Sequence, residues 1–158
     1  MGERLGLAYG LDVGQIKVKT FAVLLDASGT RHLVWRGIDS TRTPDHFHRL
    51  LGGHLEFGES TVAGVEREIE EELGTRLLEP RLLGVLESRF VHEGEPGHEI
   101  VFVYAGRLAD PEVVGPGGAW LTDSGVPIWV EWRPVEDAGL DVPLYPDGLR
   151  ELIEGLTR

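Results

Sequence analysis

Residues 60–74 carry the strongest chemical signal in the sequence, reading STVAGVEREIEEELG. At about 100° per residue, Val62, Val65, Ile69 and Leu73 fall within about 80° of one another and form an apolar stripe. Glu68, Glu71 and Glu72 gather on one flank within about 100°, with Arg67 just beyond and Glu66 and Glu70 opposite. The spacing therefore predicts an amphipathic helix, capped by Ser60 or Thr61 and stopped by Gly74. Most Glu-rich helices are simply solvated faces. Here, though, Glu68 and Glu72 are like charges four residues apart, which costs a helix about 0.2–0.5 kcal/mol. The cluster also reaches the C-terminal half, where the helix dipole disfavours negative charge. A hard divalent cation such as Mg²⁺ or Mn²⁺ would account for such carboxylates.

Composition points the same way. The chain has 158 residues, 15 Lys+Arg against 27 Asp+Glu, a formal net charge of −12 and no cysteine. A thiol nucleophile, a Cys-ligated zinc and an iron–sulfur cluster are excluded. An acidic chain is a poor binder of phosphate backbones or anionic lipid, so no nucleic-acid or membrane partner is expected. An anionic substrate would need a cation between it and the protein. The length predicts one domain. The N-terminus shows no signal-peptide pattern, and no apolar run reaches membrane-spanning length, so a cytoplasmic location is expected.

Several elements must position the helix. Residues 17–26 read as a strand, 26–29 as a turn and 32–36 as the returning strand. Residues 37–46 read as a loop, and an apolar stretch at 47–51 is expected to stop at Gly52-Gly53. Strands are predicted at 81–91 and 99–108 around a turn at 94–97, at 128–132, and a last helix at 147–156. The Gly/Pro-rich stretch 109–127 reads as a long loop, with residues 1–15 hard to assign and read as an irregular arm or an edge strand. Strands, helix, strands, helix suggests a mixed sheet with helices packed on it.

The residues around the helix extend the pattern. From Gly53 the sequence reads GHLEFGESTVAGVEREIEEELGT. Gly53, Glu59, Arg67, Glu68, Glu71, Glu72 and Gly74 match every fixed polar or glycine position of the Nudix box, G-x5-E-x7-R-E-U-x-E-E-x-G-U. Ile69 fits the first bulky aliphatic position, and Thr75 departs at the second, where a packing difference is expected. The chain thus resembles the Nudix family. That resemblance implies an α/β/α sandwich with a mixed central β-sheet, and a hydrolase that cleaves a phosphoanhydride in a nucleoside diphosphate derivative with Mg²⁺ or Mn²⁺. It implies metal ligation by Glu68, Glu71 and Glu72, a salt bridge from Arg67 that orients a glutamate, metal binding or loop anchoring by Glu59, and a metal-directed carbonyl at Gly53. Catalytic roles fall to Arg67, Glu68, Glu71 and Glu72. Many members dimerise, and the sequence leaves a homodimer open here. The runner-up reading is a non-catalytic Nudix-fold module that binds a nucleotide as a sensor, although such modules often lose box glutamates and this chain keeps them.

Other residues are candidates of lower specificity. Glu68, Glu99 and Asp123 are candidates for the general base. Arg36, Arg42, Arg49 and Arg89 offer forks for phosphate, with Arg49 and Arg89 taken as substrate-binding. Trp35, Phe47, Phe90 and Trp120 offer rings for a base. Trp120, a tryptophan beside loop glycines, is taken as a substrate contact. His46, His48, His54, His92 and His98 form no zinc pattern and read as surface or hydrogen-bonded histidines. Downstream of the box, neither the proline that tends to mark ADP-ribose hydrolases nor the tyrosine of dinucleoside polyphosphate hydrolases stands at its usual place. The sequence leaves the particular substrate open.

Overall fold

The computed structural model describes residues 14–157. The arm or strand read at residues 1–15 therefore lies almost wholly outside the described residues. Nine strands and two helices follow one another among the described residues: β1 (Lys17–Leu24), β2 (Arg31–Ile38), β3 (His46–Arg49), β4 (Leu51–His54), α1 (Thr61–Leu73), β5 (Leu77–His92), β6 (Glu95–Leu108), β7 (Ala119–Asp123), β8 (Val126–Pro134), β9 (Leu144–Tyr145) and α2 (Leu149–Leu156). They make two mixed sheets, ordered β4-β1-β6-β5 and β7-β8-β2-β3-β9. β1 runs parallel to β6 and antiparallel to β4, and β3 runs parallel to β9.

The sandwich is built on β1. Its residues from Lys19 to Leu24 are all at most 9% exposed or nearly so, as expected of a strand covered on both faces. Alternation sends Ala22 and Leu24 into one core with Val65, Ile69 and Leu73 of α1. It sends Phe21 and Val23 into a second core with Leu149 and Ile153 of α2. The helices therefore lie on opposite faces of this sheet, and the apolar stripe of α1 is the face that sequence periodicity marked. The ends of α1 also agree with the sequence. Ser60 accepts a hydrogen bond from the Ala63 amide, and Gly74 closes the helix in the left-handed conformation at φ 69°.

Several expectations need correction. The segment 37–46 is not all loop, because β2 continues to Ile38 and β3 begins at His46. Gly52-Gly53 does not end the apolar stretch but lies inside β4, paired with Phe21 and Thr20. The stretch 109–127 contains β7, paired with β8 from Ala119↔Val130 to Asp123↔Val126. Ser124 and Gly125 both have positive φ, at 49° and 83°, which makes a two-residue hairpin turn. The Ser-Gly pair was the sequence signal for this hairpin. The β5–β6 turn is likewise tighter than expected, with only Glu93 and Gly94 between the pair His92↔Glu95.

Candidate active site

The site is assembled where β4 meets α1. Gly52 lies at φ 137°, and a Cβ there would fall 2.0 Å from the Thr20 carbonyl oxygen. A Cβ on Gly53 would fall 2.7 Å from the Glu68 carboxylate. The two glycines thus let β4 pass tightly between β1 and the helix. The Gly52 amide donates to Glu72 Oε2 at 3.3 Å.

Arg67 organises the glutamates. Its Nε donates to Glu59 Oε2 at 3.0 Å and its Nη2 to Glu59 Oε1 at 2.7 Å. Nη2 also donates to the His54 carbonyl at 3.0 Å, which ties the 55–59 loop to β4 and α1. Nη1 reaches Glu68 Oε1 at 2.9 Å and Glu71 Oε2 at 3.3 Å. Glu59 Oε1 further accepts from the Glu56 amide at 2.9 Å. Both oxygens of Glu59 are thereby used in anchoring the loop, and the Arg67 hydrogen bonds hold its carboxyl down at about 2.

Glu68 and Glu72 are buried, at 9% and 6% exposure, whereas the Glu71 side chain is 56% exposed. Burial raises the proton affinity of both, and Arg67 opposes the rise at Glu68. Glu72 is pushed up to about 8, first by burial and then by the charges of Asp123 and Glu68. Among the described residues no three acidic or imidazole side chains converge closely enough to hold an ion as they stand. Glu71 remains on Arg67 and would have to turn from it to join Glu68 and Glu72. The donor chemistry nevertheless suits a hard divalent ion: buried carboxylates whose mutual repulsion a cation would relieve.

Asp123 is brought to this cluster by β7. Ala119 and Leu121 pack against the α1 core, and Asp123 continues the same face. Trp120 points the other way. It is 69% exposed and meets the Trp129 ring edge-on at 5.4 Å, over a shallow groove with Arg36, Gly37 and Ile38. Strand alternation thus separates Trp120 from the carboxylates.

A deeper cavity of about 290 Å³ lies beside the carboxylates. Its walls include Phe21, Trp35, Phe47, Phe90 and Tyr145, with Lys19, Arg49 and Glu99 on the side nearest the site. Phe47 meets Trp35, His92 and Tyr145 edge-on at 5.7–5.9 Å. Lys19 pairs with Glu99 at 3.0 Å, and burial followed by the Arg49 charge lowers the Lys19 pKa. Arg49 stacks on Trp35 at 4.5 Å and Phe21 at 5.3 Å. Ser88 and Phe90 line the cavity, so the intervening Arg89 is exposed on the opposite face of β5 and does not. His48 lies outside both groups, with Nε2 on Glu131 at 2.6 Å and Nδ1 on Arg133 at 2.9 Å.

Sequence reading missed Lys19, Asp39 and Tyr145 as cavity residues. Lys19 had a signal, a lysine two residues before the apolar run at 21–24 of the same strand. Asp39 and Tyr145 had none, because a loop and a two-residue strand bring them together. Thr75 has a structural reason for its departure from the aliphatic pattern: its hydroxyl accepts the Asp110 amide at 2.9 Å.

Comparison with known proteins follows the same lines. The family model described as "NUDIX domain" matches residues 16–155. A NUDIX hydrolase from Nitrosomonas europaea superposes with a TM-score of 0.60 at 21% identity, over 90% of this chain and 89% of that one. The MutT protein from Methanosarcina mazei Go1 gives 0.60 at 23% identity, over 90% and 94%. A MutT NUDIX hydrolase from Burkholderia pseudomallei gives 0.54 at 24%, over 89% and 97%. At these identities the solved structures establish a shared fold.

Proposed function

The chain belongs to the Nudix hydrolase family, and from that premise we propose that it hydrolyses a phosphoanhydride bond in a nucleoside diphosphate derivative with Mg²⁺ or Mn²⁺. The substrate range is a nucleotide sugar, an ADP-ribose-like compound or a nucleoside triphosphate. The observation that carries this reading is the Arg67 hub, which forks onto Glu59 and bonds Glu68 and Glu71 on the helix that also carries the buried Glu72.

Glu68, Glu71 and Glu72, with the backbone at Gly53, would hold the ion. A divalent ion there neutralises pyrophosphate oxygens and lowers the pKa of a bound water. Glu59 acts as loop anchor in this reading rather than ligand, since Arg67 and the Glu56 amide take its oxygens. Of the candidates for proton acceptor, Glu99 is held by Lys19, and Asp123 is half-buried at the end of β7, where its charge acts on both Glu72 and Glu68. We assign the role to Glu68, which burial makes more basic and Arg67 fixes in place. The aromatic cavity receives the group carried by the diphosphate, with Arg49 as the contact between cavity and cleft. Its size suits one ring system rather than a whole nucleotide. Trp120 and Arg89 have no part in this reading, because alternation turns both away.

The test is a product assay on ADP-ribose, nucleotide sugars, dinucleoside polyphosphates and nucleoside triphosphates, each with Mg²⁺, Mn²⁺ or EDTA. Metal-dependent cleavage of one compound well above the rest is expected. Tight binding without cleavage would replace the hydrolase with a sensor.

A further inference from the structure

The cavity beside the carboxylates has walls that the backbone is shaped to accept. A Cβ on Gly37 would fall 2.3 Å from the Phe47 ring, and a Cβ on Gly97 would fall 2.3 Å from the Phe90 ring. Glycine inside a strand weakens it and commonly marks a close approach. Here two strand glycines, one in β2 and one in β6, leave the space that two cavity rings occupy.

The charges in this aromatic chamber are committed, with one exception. Lys19 is paired with Glu99 at 3.0 Å, and Arg42 with Asp39 at 3.3 Å. Arg42 also donates to the Tyr145 hydroxyl at 2.9 Å and the Val91 carbonyl at 3.2 Å. Arg49 forms no ion pair among the described residues, and its Nε is buried without a hydrogen-bond partner. Its stacking on Trp35 and Phe21 leaves the in-plane N–H edge for a partner.

We propose that Arg49 is the specificity-determining residue of this cavity, donating to the oxo edge of a nucleobase seated among Trp35, Phe47 and Phe90. This deepens the nucleotide-hydrolase reading and rests on it. A guanidinium carries only donors. It satisfies a carbonyl oxygen or an adjacent oxygen–nitrogen acceptor pair, and it meets an amino group donor to donor. Guanine presents the adjacent acceptors O6 and N7 where adenine presents an amino group beside N7, whereas both pyrimidines offer a guanidinium an acceptor edge. The cavity therefore selects guanine over adenine. A phosphate on Arg49 would give no such selection, since every nucleotide carries the same phosphate.

The experiment measures binding of GMP, AMP, UMP and CMP to the metal-free protein in EDTA by calorimetry. The wild type is expected to prefer GMP over AMP by at least about tenfold. Arg49→Met, which keeps the stem on the rings, is expected to abolish that preference at an unchanged fold by circular dichroism. Equal affinity for GMP and AMP in the wild type, or no binding at millimolar concentration, overturns the proposal without any variant. An equal loss for all four in Arg49→Met places Arg49 on phosphate and also overturns it. Because no turnover is read, failure of the hydrolase reading would show separately, as absent metal-dependent cleavage in a protein that still discriminates bases.

Discussion

Arg67 and Glu59 are joined by a two-bond fork, Nε to Oε2 at 3.0 Å and Nη2 to Oε1 at 2.7 Å, across eight residues of chain. The fork fixes the loop before α1 to the helix and leaves Nη1 for Glu68 and Glu71. A lysine keeps the charge but presents a single point donor. Arg67→Lys is therefore expected to lower kcat/KM by at least about tenfold, and Arg67→Ala by about a hundredfold, by analogy with lost catalytic charge stabilisers. Steady-state kinetics on the substrate found in the panel checks both. Wild-type rates in Arg67→Ala would remove the hub from the reading.

Adjacent glycines are expected to fail in different ways. Gly52→Ala forces a Cβ within 2.0 Å of the Thr20 carbonyl at a φ of 137°, against backbone that cannot give way. It should destabilise the fold by more than about 2 kcal/mol. Gly53→Ala meets only the movable end of Glu68, at 2.7 Å. It should keep near-normal thermal stability and lose most activity, because Glu68 is displaced. Urea melts and turnover on both variants separate the cases. A stable, active Gly52→Ala would contradict the backbone contact.

Glu72 sets a pH dependence whose sign is defined. Its folded pKa of about 8 lies above its ordinary value of 4.5, so between these values the folded state holds a proton that the unfolded state has released. The contribution is full below about pH 4.5 and lost as pH rises through 8, with a slope approaching about 1.4 kcal/mol per pH unit between. Without metal, wild type should lose stability relative to Glu72→Gln over this window. Mg²⁺ should raise the wild-type melting temperature, and its affinity should climb with pH to about 8 because the proton must leave first. Glu72→Gln should lose both responses and at least about a hundredfold in turnover. Parallel pH–stability curves for the two proteins in EDTA would refute the buried-carboxylate account.

Thr75 offers a control away from the chemistry. Thr75→Val restores the aliphatic pattern of the box but removes the acceptor for the Asp110 amide. A loss of about 1 kcal/mol is expected, with unchanged kcat. Increased stability in the variant would mean that the hydroxyl contact contributes less than the added apolar packing.

Local patterns were legible where a short stretch of chain decides the outcome. The 3.6-residue period of Val62, Val65, Ile69 and Leu73 marked the buried face of α1, and Ser60 and Gly74 marked its ends. The fixed spacing from Gly53 to Gly74 identified the family because side chains from one loop and one helix can meet only at a particular register. The segment 109–127 was less legible: its glycines and prolines masked β7, and only Ser124-Gly125 betrayed the hairpin.

By itself the sequence determined the helix, the grouping of its carboxylates on one flank and the arginine able to bind them. Helical and strand periodicities are properties of a few consecutive residues. Only the tertiary structure decided that Glu59 is forked onto Arg67, that Arg89 and Trp120 turn away from the cleft, and that Asp123 comes to Glu72 and Arg49 to an aromatic cavity. Those outcomes depend on which strands pair and in which register. A shift of one residue would have reversed the faces of β5 and β7.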